Sequence, residues 1–559
     1  MNMNDNEKKK SVLILGCGLL QKPSFIAARE LNLKIFAVDM NKNALLVPMA
    51  DEFAQIDLKD KEGILHWAEY LKKNENLQGV FTAGTDFSSS VSYVSEKLGF
   101  HAHSFNASMN ASDKKLMRKC FKDAHVPCPD FYSVTSLEEA KSLSQKIDFP
   151  FVVKPCDNMG ARGCRLVRNA EEAESAFICA FENSKSHSIM IEEYMEGPEF
   201  SIDALVYKGS LTITGFADRH IYYEPYFIET GHTMPSVIDQ KKKMELIECF
   251  ARGIKALGLT EGAAKADIKY TKKGAEIGEI AARLSGGYMS GWTFPYSSDF
   301  FLTKEGMKIA LGMEADELLR KRIKLSQEEA RDAARDKTSS PFEIFEIPSV
   351  KVSAERAWIS IPGTISNILE LDLSDSKLQK NIKDIFPRGY KEGSQVDFPR
   401  NNVQKCGNVI SLSQNYPEAV KAAEDKAASI VIRLCPDNKK TDDFLNQKEE
   451  FSEKGFPPSS FSFYDEIKEK INECKDFFIK ENTSPLENAP DFIKEALKSS
   501  EKGFNYKNAA REVEIFDLIC PNHPEIDGKK FWKALFRAGL QGALYVSDCA
   551  ENSIKNKKE

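Results

Sequence analysis

The sequence predicts a multidomain α/β protein that opens with a Rossmann-like unit and continues into a mixed α+β part. Three observations support this fold class. Residues 11–105 alternate apolar strand-like runs with helical stretches, residues 151–167 place a glycine-containing loop between two strand-like runs, and residues 264–283 form two strand-like runs joined by a tight turn. Because 559 residues exceed what one hydrophobic core organises, we expect about three or four domains.

Composition and charge exclude several classes of protein. An apolar content of 42% with 29% charged residues is typical of a soluble globular chain, and the formal net charge of −7 gives no basic footprint for nucleic acid or an anionic membrane. The 12 cysteines are scattered without a CxxC pair, which favours reduced thiols in the cytoplasm. The apolar run at residues 11–20 is too short and too glycine-broken for a signal peptide or a membrane span. We therefore expect a cytoplasmic protein without nucleic-acid or membrane partners.

The N-terminal unit is predicted from residues 11–105. The runs SVLILG, LKIFAVDM and QGVFTAG predict buried parallel strands, and the stretches PSFIAARELN and ILHWAEYLKKN predict the intervening helices. Gly16 and Gly18 follow the first strand, but no third glycine stands at the spacing of a dinucleotide fingerprint, so we interpret them as a strand-to-helix turn. The loop at residues 84–86 has two open interpretations: it faces a ligand, or it caps the next helix.

A basic first turn marks a helix that begins near residue 113. Ser112 is a candidate N-cap, and it is followed by Lys114 and Lys115. Lysines in a first turn oppose the helix dipole, and such a conflict is sometimes a sign of anion binding. The alternative is a solvated helix face, which is the usual reason for lysines at such positions.

The loop at residues 156–165 has the pattern of an anion-binding nest. A strand-like run ends at Lys154, and the loop that follows contains Gly160, Arg162 and Gly163 before the next run begins. Glycines let backbone N–H groups approach phosphate oxygens closely, and Lys154 could reach the same phosphates. The loop is not a Walker loop, because no Gly-Lys-Ser/Thr opens a helix. A simple hairpin turn is the alternative.

Glu229 and His232 belong to a Glu-Thr-Gly-His element that the sequence places in a loop before Pro235. A glutamate and a histidine three residues apart could bind a polar substrate group or a metal. A lone histidine in a loop is more often a surface residue, so this element indicates little when taken alone.

The hairpin at residues 264–283 brings acidic side chains together. A tight turn at 271–274 puts Asp267 and Glu279 roughly opposite each other on the two strands. Arg283 shares a face with Glu279, because residues i and i+4 of a strand point the same way. Carboxylates suit Mg²⁺ and a guanidinium forks onto phosphate, so the hairpin predicts a seat for a metal ion and a phosphoryl group. The alternative is a solvated hairpin face.

Taken in order, these parts resemble the ATP-grasp superfamily, in the branch of carboxylate–amine (L-amino-acid) ligases and carbamoyl-phosphate-synthetase-like enzymes. The resemblance covers residues 11–435 and rests on FVVKP followed by NMGARG, on IEEYMEGPE, on ADIKY and on EIGEIAARLSGG. It implies a Rossmann-like domain, a two-lobed ATP-grasp domain with a glycine flap (156–165) and a metal hairpin (264–283), and a linker with a lid-like, β-rich α/β subdomain. These parts, followed by a mostly helical extension of unknown role, would occupy residues 1–110, 111–312, 313–435 and 436–559.

The resemblance also implies a role for each matching residue. Lys114 and Lys154 would reach the nucleotide, and Arg283 would stabilise the transferred phosphoryl group and the acyl phosphate. The mobile flap over the phosphates of ATP would be formed by Gly160, Arg162 and Gly163. The hinge segment that holds adenine and ribose would be formed by Glu192, Glu193, Met195 and Glu199. Mg²⁺, with Mn²⁺ as an alternative, would bridge the β- and γ-phosphates on the carboxylates of Asp267 and Glu279.

One position departs from the family pattern. Many members read Glu-x-Asn-x-Arg where this chain has Glu279, Ala281 and Arg283. Alanine cannot ligate a metal, so a second metal would be held by fewer protein groups, or by substrate and water. The same variant occurs in the L-amino-acid ligase branch, as does a Glu-x-x-His before Pro-Ser, matched here by Glu229 and His232. In that branch the histidine lies by the acyl-phosphate site, and the glutamate is a further candidate metal ligand.

The resemblance implies an ATP-dependent carboxylate–amine ligase that forms an amide bond through an acyl phosphate and releases ADP and phosphate. Its partners would be a small-molecule carboxylate and a small-molecule amine, and a homodimer is left open. Two alternatives remain: a bicarbonate-activating carboxylase or carbamoyl-phosphate-type enzyme, and an ATP-binding module that has lost catalysis.

Overall fold

The computed structural model describes residues 8–158, 160–326, 340–372, 376–446, 464–500 and 502–558, and these form five sheets with helices on their faces. The strands are β1 Ser11–Leu15, β2 Lys34–Asp39, β3 Glu52–Gln55, β4 Leu77–Phe81, β5 Phe131–Val134, β6 Phe151–Pro155, β7 Arg165–Val167, β8 Ile189–Glu193, β9 Glu199–Tyr207, β10 Ser210–Tyr222, β11 Ile228–Met234, β12 Gly262–Thr271, β13 Gly274–Ala281, β14 Ile323–Lys324, β15 Glu343–Glu346, β16 Val352–Trp358, β17 Gly363–Glu370, β18 Ile382–Pro387, β19 Gln395–Val396, β20 Gly407–Ser413, β21 Ile430–Leu434, β22 Phe478–Ile479 and β23 Ile526–Asp527. The helices are α1 Lys22–Glu30, α2 Lys61–Asn74, α3 Ser88–Leu98, α4 Phe105–Ser112, α5 Lys114–Asp123, α6 Leu137–Ser144, α7 Ala170–Glu182, α8 Gln240–Leu257, α9 Phe294–Ser298, α10 Leu302–Ala310, α11 Asp316–Lys321, α12 Ser376–Gln379, α13 Tyr416–Ser429, α14 Lys439–Leu445, α15 Tyr464–Glu473, α16 Asp491–Lys498, α17 Ala509–Ile519 and α18 Gly528–Lys558.

The N-terminal unit is a parallel sheet in the order β3–β2–β1–β4, as expected for a Rossmann-like unit. All residues of β1 are buried, because apolar clusters cover both faces of this sheet. The three predicted strands are confirmed, and Gly16 turns the chain towards α1 with a φ of 98°, which favours glycine. Strand β3 is not predicted from the sequence, because Glu52–Gln55 has no run of apolar residues.

The glycine loop joins two strands of a four-stranded antiparallel sheet in the order β5–β8–β6–β7. Helices α6 and α7 pack on this sheet and help to bury Phe151, Val153 and Val167. The predicted strands on both sides of the loop are therefore confirmed. We call this part of the molecule, residues 131–193, the small lobe.

The large sheet carries the acidic hairpin. Its main path runs β13–β12–β9–β10–β11–β16–β20–β18, with β15 attached to β10 and β14 attached to β15. Alternate residues of β9 and β12, such as Ile202 and Ala266, pack in one apolar cluster with Phe250 of α8. The residues between them point to the opposite face of the sheet, and Leu205 on that face packs with the N-terminal unit. Because of this alternation, the hairpin side chains that do not enter the apolar cluster lie on the opposite face of the sheet.

Residues beyond 436 are mostly helical in their described part, as the sequence predicts, and they share a buried apolar cluster with β21. The hydroxyl of Tyr506 lies 2.8 Å from the carbonyl oxygens of both Thr230 and Ala357. The extension therefore contacts β11, the strand that also carries Glu229. The predicted domain bounds themselves stay predictions. Among the described helices, none combines the length and the apolar character that a membrane crossing requires.

One local prediction is wrong and another lies partly outside the described residues. Ser112 ends α4, and the N-cap of α5 is Asp113, whose carboxylate accepts from the backbone N–H groups of Lys115 and Leu116 at 2.8 and 3.1 Å. A carboxylate at this position complements the helix dipole and so offsets the lysines of the first turn. Part of the predicted linker after residue 312 forms α11 and β14, and residues 327–339 lie outside the described residues.

We expect the buried His103 to make the protein sensitive to mild acid. Its Nδ1 accepts from the backbone N–H groups of Thr260 and Glu261, so its Nε2 carries the proton and donates to the carbonyl oxygen of Ala263 at 2.9 Å. Burial lowers the pKa of His103 from 6.5 to about 4. Between these values the unfolded chain binds a proton that the folded protein does not bind, so stability falls as the pH drops from about 6.5 to about 4.

The measurement is the melting temperature of wild type and His103→Gln between about pH 7 and about pH 4. The variant should lose up to about 3 kcal/mol of this pH-dependent term, and its melting temperature should fall less steeply with acid. His101→Gln is the matched control, because the His101 side chain is 52% exposed. Equal acid slopes for wild type and His103→Gln would contradict the prediction.

Candidate active site

Most of the predicted site residues line one cleft of about 520 Å³. The cleft lies where the small lobe, the large sheet, the N-terminal unit and the segment 388–405 meet. The predicted residues that line it are Lys114, Lys154, Gly160, Arg162, Glu192, Glu193, Met195, Glu199, Glu229, Asp267, Glu279 and Arg283. Gly163 and His232 do not line the cleft. Gly163 directly follows Arg162 in the chain, and His232 Nε2 lies 3.4 Å from Glu229 Oε2.

The register of the large sheet brings charged side chains together on its cleft face. Asp267 of β12 pairs directly with Glu279 of β13, which confirms the predicted arrangement of the hairpin. In the neighbouring strands, Glu199 of β9 lies opposite Arg219 of β10 and Lys269 of β12. Since alternate residues of a strand point to one face, these side chains form adjacent rows that converge on the cleft.

Glu279 is the more accessible of the two hairpin carboxylates. Its side chain is 37% exposed, and the Nζ of Lys114 lies 4.0 Å from its Oε2. Desolvation alone would raise the pKa of Glu279, but the positive charges of Lys114, Lys265, Lys154 and Arg283 outweigh it and hold the pKa at about 2. The carboxylate is therefore ionised at neutral pH and accessible to a cation from the cleft.

Asp267 lies between two cationic side chains. Arg219 Nη1 is 2.7 Å from its Oδ1, and Lys265 Nζ is 2.5 Å from its Oδ2. Among the described residues, no group of three or more His, Cys, Asp or Glu side chains is arranged to hold a metal ion. Mg²⁺ is usually held by one or two carboxylates together with phosphate oxygens and water, so the donor set of Asp267 and Glu279 fits Mg²⁺ shared with a nucleotide.

Glu192 has a different environment from the one that the resemblance implies. Its side chain is 4% exposed, Arg118 Nε donates to its Oε1 at 2.8 Å, and Lys154 pairs with its Oε2. Burial alone would raise the pKa of Glu192, but Arg118 and Lys154 lower it below its ordinary value. With both oxygens paired, the carboxylate orients Lys154, and direct contact of Glu192 with adenine stays a prediction.

The other hinge residues border the same part of the cleft. Lys269 Nζ donates to the carbonyl oxygen of Met195 at 3.1 Å and lies 3.5 Å from Glu199 Oε2. Glu193 pairs with Lys273 at 2.5 Å. The hinge is thus tied to the acidic hairpin by two lysines of that hairpin, and its contacts with adenine and ribose stay predictions.

The flap residues adopt backbone conformations that favour glycine. Gly160 and Gly163 have φ values of 65° and 72°. A Cβ atom on Gly163 would lie 2.7 Å from the Cβ of Asn183, so a larger residue would displace the flap. The carbonyl oxygen of Gly160 accepts from the backbone N–H of Asn402 at 3.0 Å. This contact joins the flap to the C-terminal part of the chain.

Glu229 and His232 lie in a strand, β11, and not in the predicted loop. The adjacent glycine and proline suggested a loop, but the strand pairs with β10 on one side and β16 on the other. Thr230 is an extra residue in the pairing with β10, which makes a β-bulge. The bulge brings Glu229 and His232 to one face, although residues three apart on a regular strand point to opposite faces.

His232 is fully buried between two carboxylates. Its Nδ1 lies 2.7 Å from Glu355 Oε2, and its Nε2 lies 3.4 Å from Glu229 Oε2. Burial alone would lower the pKa of the imidazole, but Glu229 and Glu355 outweigh it and raise the pKa of His232. No local sequence pattern marks Glu355, which lies 123 residues from its histidine partner.

Arg219 is the principal site residue that sequence reasoning missed. Its guanidinium lies 2.5 Å from Glu199, 2.5 Å from Glu229 and 2.7 Å from Asp267. Burial alone would lower its pKa, but these three carboxylates raise it. Lys405 reaches the same cluster from the C-terminal part, and its Nζ donates to the carbonyl oxygen of Glu229 at 2.7 Å. The partners come from different strands, so no local sequence pattern marks either residue.

Arg283 is oriented by the N-terminal unit. It lies two residues beyond the end of β13, and its Nε donates to Asp86 Oδ1 at 2.8 Å. The loop at residues 84–86 therefore faces the cleft. The capping alternative for this loop is wrong, because α3 begins after Phe87 without a side-chain cap. The contact places a guanidinium beside the acidic rows of the hairpin.

Comparisons with known proteins find an ATP-grasp domain in the part of the chain that forms most of the cleft. The profile of the ATP-grasp domain matches residues 147–291. Carnosine synthase 1 of Homo sapiens is 24% identical over 335 residues, which cover 54% of this chain and 40% of that protein. Alanine–anticapsin ligase of Bacillus subtilis is 29% identical over 216 residues, which cover 35% of this chain and 46% of that protein. This chain thus spans less than half the length of these two curated relatives.

Solved structures extend the likeness of the fold beyond the matched domain. The crystal structure of L-amino acid ligase from Bacillus licheniformis superimposes with a TM-score of 0.61 at 18% identity, over 77% of this chain and 99% of that chain. The matched domain contains the glycine flap, the hinge and the acidic hairpin of the cleft. This chain therefore contains an ATP-grasp domain, at residues 147–291.

Proposed function

We propose that this protein is an ATP-dependent carboxylate–amine ligase that forms an amide bond and releases ADP and phosphate. The observation that supports it most is the single cleft that Asp267 and Glu279 share with Arg283 and Glu229. The predicted metal ligands, the predicted phosphate-binding guanidinium and a buried glutamate–histidine pair are thus close together. Two relatives are named as ligases, one of alanine and one of L-amino acids, which favours amino acids as substrates.

In the proposed reaction, a carboxylate oxygen of the first substrate attacks the γ-phosphorus of ATP, and the bond to the β–γ bridging oxygen breaks. ADP leaves and an acyl phosphate remains. The amine of the second substrate then attacks the acyl carbon, loses a proton and displaces phosphate. Mg²⁺, when held by Asp267 and Glu279, would neutralise charge on the phosphates.

The residues of the chain bind, orient and exclude water in this scheme. Lys114 and Lys154 neutralise phosphate oxygens, and Arg283, fixed by Asp86, stabilises charge on the transferred group. The flap covers the reacting groups, because an acyl phosphate is lost to hydrolysis if water reaches it. Glu229 lines the cleft beside Arg219, where the acyl phosphate would form. The oligomeric state and the cytoplasmic location stay predictions.

The test is release of ADP and phosphate from Mg²⁺-ATP with a panel of amino acids, singly and in pairs, and with Glu279→Gln as control. Release that requires two amino acids and vanishes in the variant would support the ligase. Release that requires bicarbonate would favour the carboxylase alternative. ATP binding without release from any pair would contradict the ligase and favour an inactive module.

A further inference from the structure

A lysine, Lys265, lies beside the two hairpin carboxylates on the same sheet face. Lys265 of β12 pairs with Ala281 of β13 on one side and with Asp203 of β9 on the other. Because residues i and i+2 of a strand share a face, this row is adjacent to the row of Asp267 and Glu279. An ammonium group thus stands next to the predicted metal ligands.

The Lys265 side chain is held in place from two sides. The residue is 9% exposed and lines the cleft, and its Nζ lies 2.5 Å from Asp267 Oδ2. On the opposite side Asp203 is fully buried, and its Oδ2 accepts from the N–H and the hydroxyl of Ser285 at 3.0 and 2.8 Å. Its Oδ1 has no hydrogen-bond partner among the described residues, and the positive charge of Lys265 partly offsets the rise that burial causes in the pKa of this carboxyl. The two carboxylates therefore attract the lysine to one position.

The surroundings of Lys265 disfavour a second metal ion at this end of the hairpin. Ala281, directly opposite Lys265, offers a methyl group and no ligating atom. Arg219 lies against the other oxygen of Asp267, at 2.7 Å. The first ion can be held mainly by Glu279, whose side chain is 37% exposed. A second divalent ion beside Asp267 would face that first ion as well as the two fixed positive charges of Lys265 and Arg219, and like charges at short range repel.

We propose that the ammonium of Lys265 takes the place of a second Mg²⁺, so that the cleft works with one metal ion. The proposal rests on the proposed function only in that ATP binds in this cleft. A lysine ammonium is a compact point charge that binds phosphate oxygens, so it supplies the neutralising charge without ligands of its own. The remaining positive charge would come from one Mg²⁺, held by Glu279 and Asp267 together with phosphate oxygens and water.

The test counts the Mn²⁺ ions bound per bound nucleotide, with a nonhydrolysable ATP analogue and saturating Mn²⁺, by equilibrium dialysis and electron paramagnetic resonance. Wild type should bind one ion per nucleotide without spin coupling between metals. The double variant Lys265→Ser/Ala281→Asn should bind two ions, with the coupling expected of metals about 3.5–4 Å apart. Lys265→Arg, which keeps the positive charge, is the matched control and should bind one.

Two coupled ions in wild type would overturn the proposal, and so would a single ion in a double variant that still binds the nucleotide. If circular dichroism shows that the double variant does not fold, the wild-type count alone decides. Failure of wild type to bind the nucleotide would contradict the proposed function as well. Nucleotide binding with two ions would contradict this proposal alone, so the two failures are distinguishable.

Discussion

Glu279→Gln is expected to stop ADP release while nucleotide binding persists. The substitution keeps the shape of the side chain and removes the charge of the more accessible hairpin carboxylate, which lies 4.0 Å from Lys114. Loss of a ligand to the ion that neutralises the transferring phosphoryl group should cost about 4 kcal/mol, or about 10³-fold in kcat. Because the side chain is 37% exposed, solvent screens its charge pairs and the fold should be retained.

Two measurements separate catalysis from binding in this variant. The first is the initial rate of ADP release at saturating ATP, and the second is calorimetric binding of an ATP analogue without metal. Removing a negative charge from among Lys114, Lys154 and Lys265 should leave the second unchanged or strengthen it. Glu314→Gln is the matched control, because that glutamate is 64% exposed and pairs with Lys208 at the surface. A rate within about twofold of wild type in Glu279→Gln would remove Glu279 from the metal site.

The acidic hairpin could be predicted from the sequence because its geometry is local. A tight turn fixes the register of two adjacent strands, and the two-residue period then decides which side chains share a face. The structure pairs Thr271 with Gly274 and Asp267 with Glu279, as that reasoning requires. The glycine loop was predictable for the same reason, since both of its strands lie within a few residues of Gly160 and Gly163.

The predicted loop around Glu229 is wrong because the pairing of this strand is not local. Its glycine and proline favour a loop in isolation, but β10 and β16 provide partners on both sides, and the second of these begins at Val352. The bulge at Thr230 then changes which side chains share a face, and no local sequence pattern predicts this bulge. The hydroxyl of Tyr506 donates to the carbonyl oxygen of Thr230 at the bulge. Tyr506 belongs to the helical extension, for which the sequence predicts no role.

The basic residues that pair with buried carboxylates of the site could not be predicted from the sequence, for a related reason. Arg118, Arg219 and Lys405 are ordinary basic residues in their local sequence. Each becomes a site residue only when a distant strand presents a buried carboxylate to it, as Glu192 does for Arg118. Burial of a charge without a partner is costly, so these pairs are strongly specified by the fold.

Arg283→Met is expected to lower kcat by about 10²- to 10³-fold with little change in the KM for ATP. The guanidinium is 11% exposed and lines the cleft, and its orientation is set by Asp86, which accepts from Nε and Nη2 at 2.8 and 2.5 Å, and by the carbonyl oxygen of Leu284, which accepts from Nη1 at 2.9 Å. A charge that acts on the transferred phosphoryl group stabilises the transition state more than bound ATP, so its loss should appear in kcat. The measurement is the steady-state rate of ADP release with the substrate pair that supports turnover.

Two further variants distinguish charge from orientation at this position. Arg283→Lys keeps the positive charge but cannot fork onto a phosphate, so it should retain only part of the rate. Asp86→Asn keeps the guanidinium but weakens the contact that orients it, and misplacement of this kind should cost up to about 10²-fold in kcat. If Arg283→Met lowered the melting temperature and left kcat unchanged, Arg283 would serve to join the hairpin to the N-terminal unit. If Asp86→Asn matched wild type while Arg283→Met lost activity, the N-terminal unit would not orient the arginine. Only a loss in all three variants, largest in Arg283→Met, fits a phosphoryl-binding arginine that the N-terminal unit holds in place.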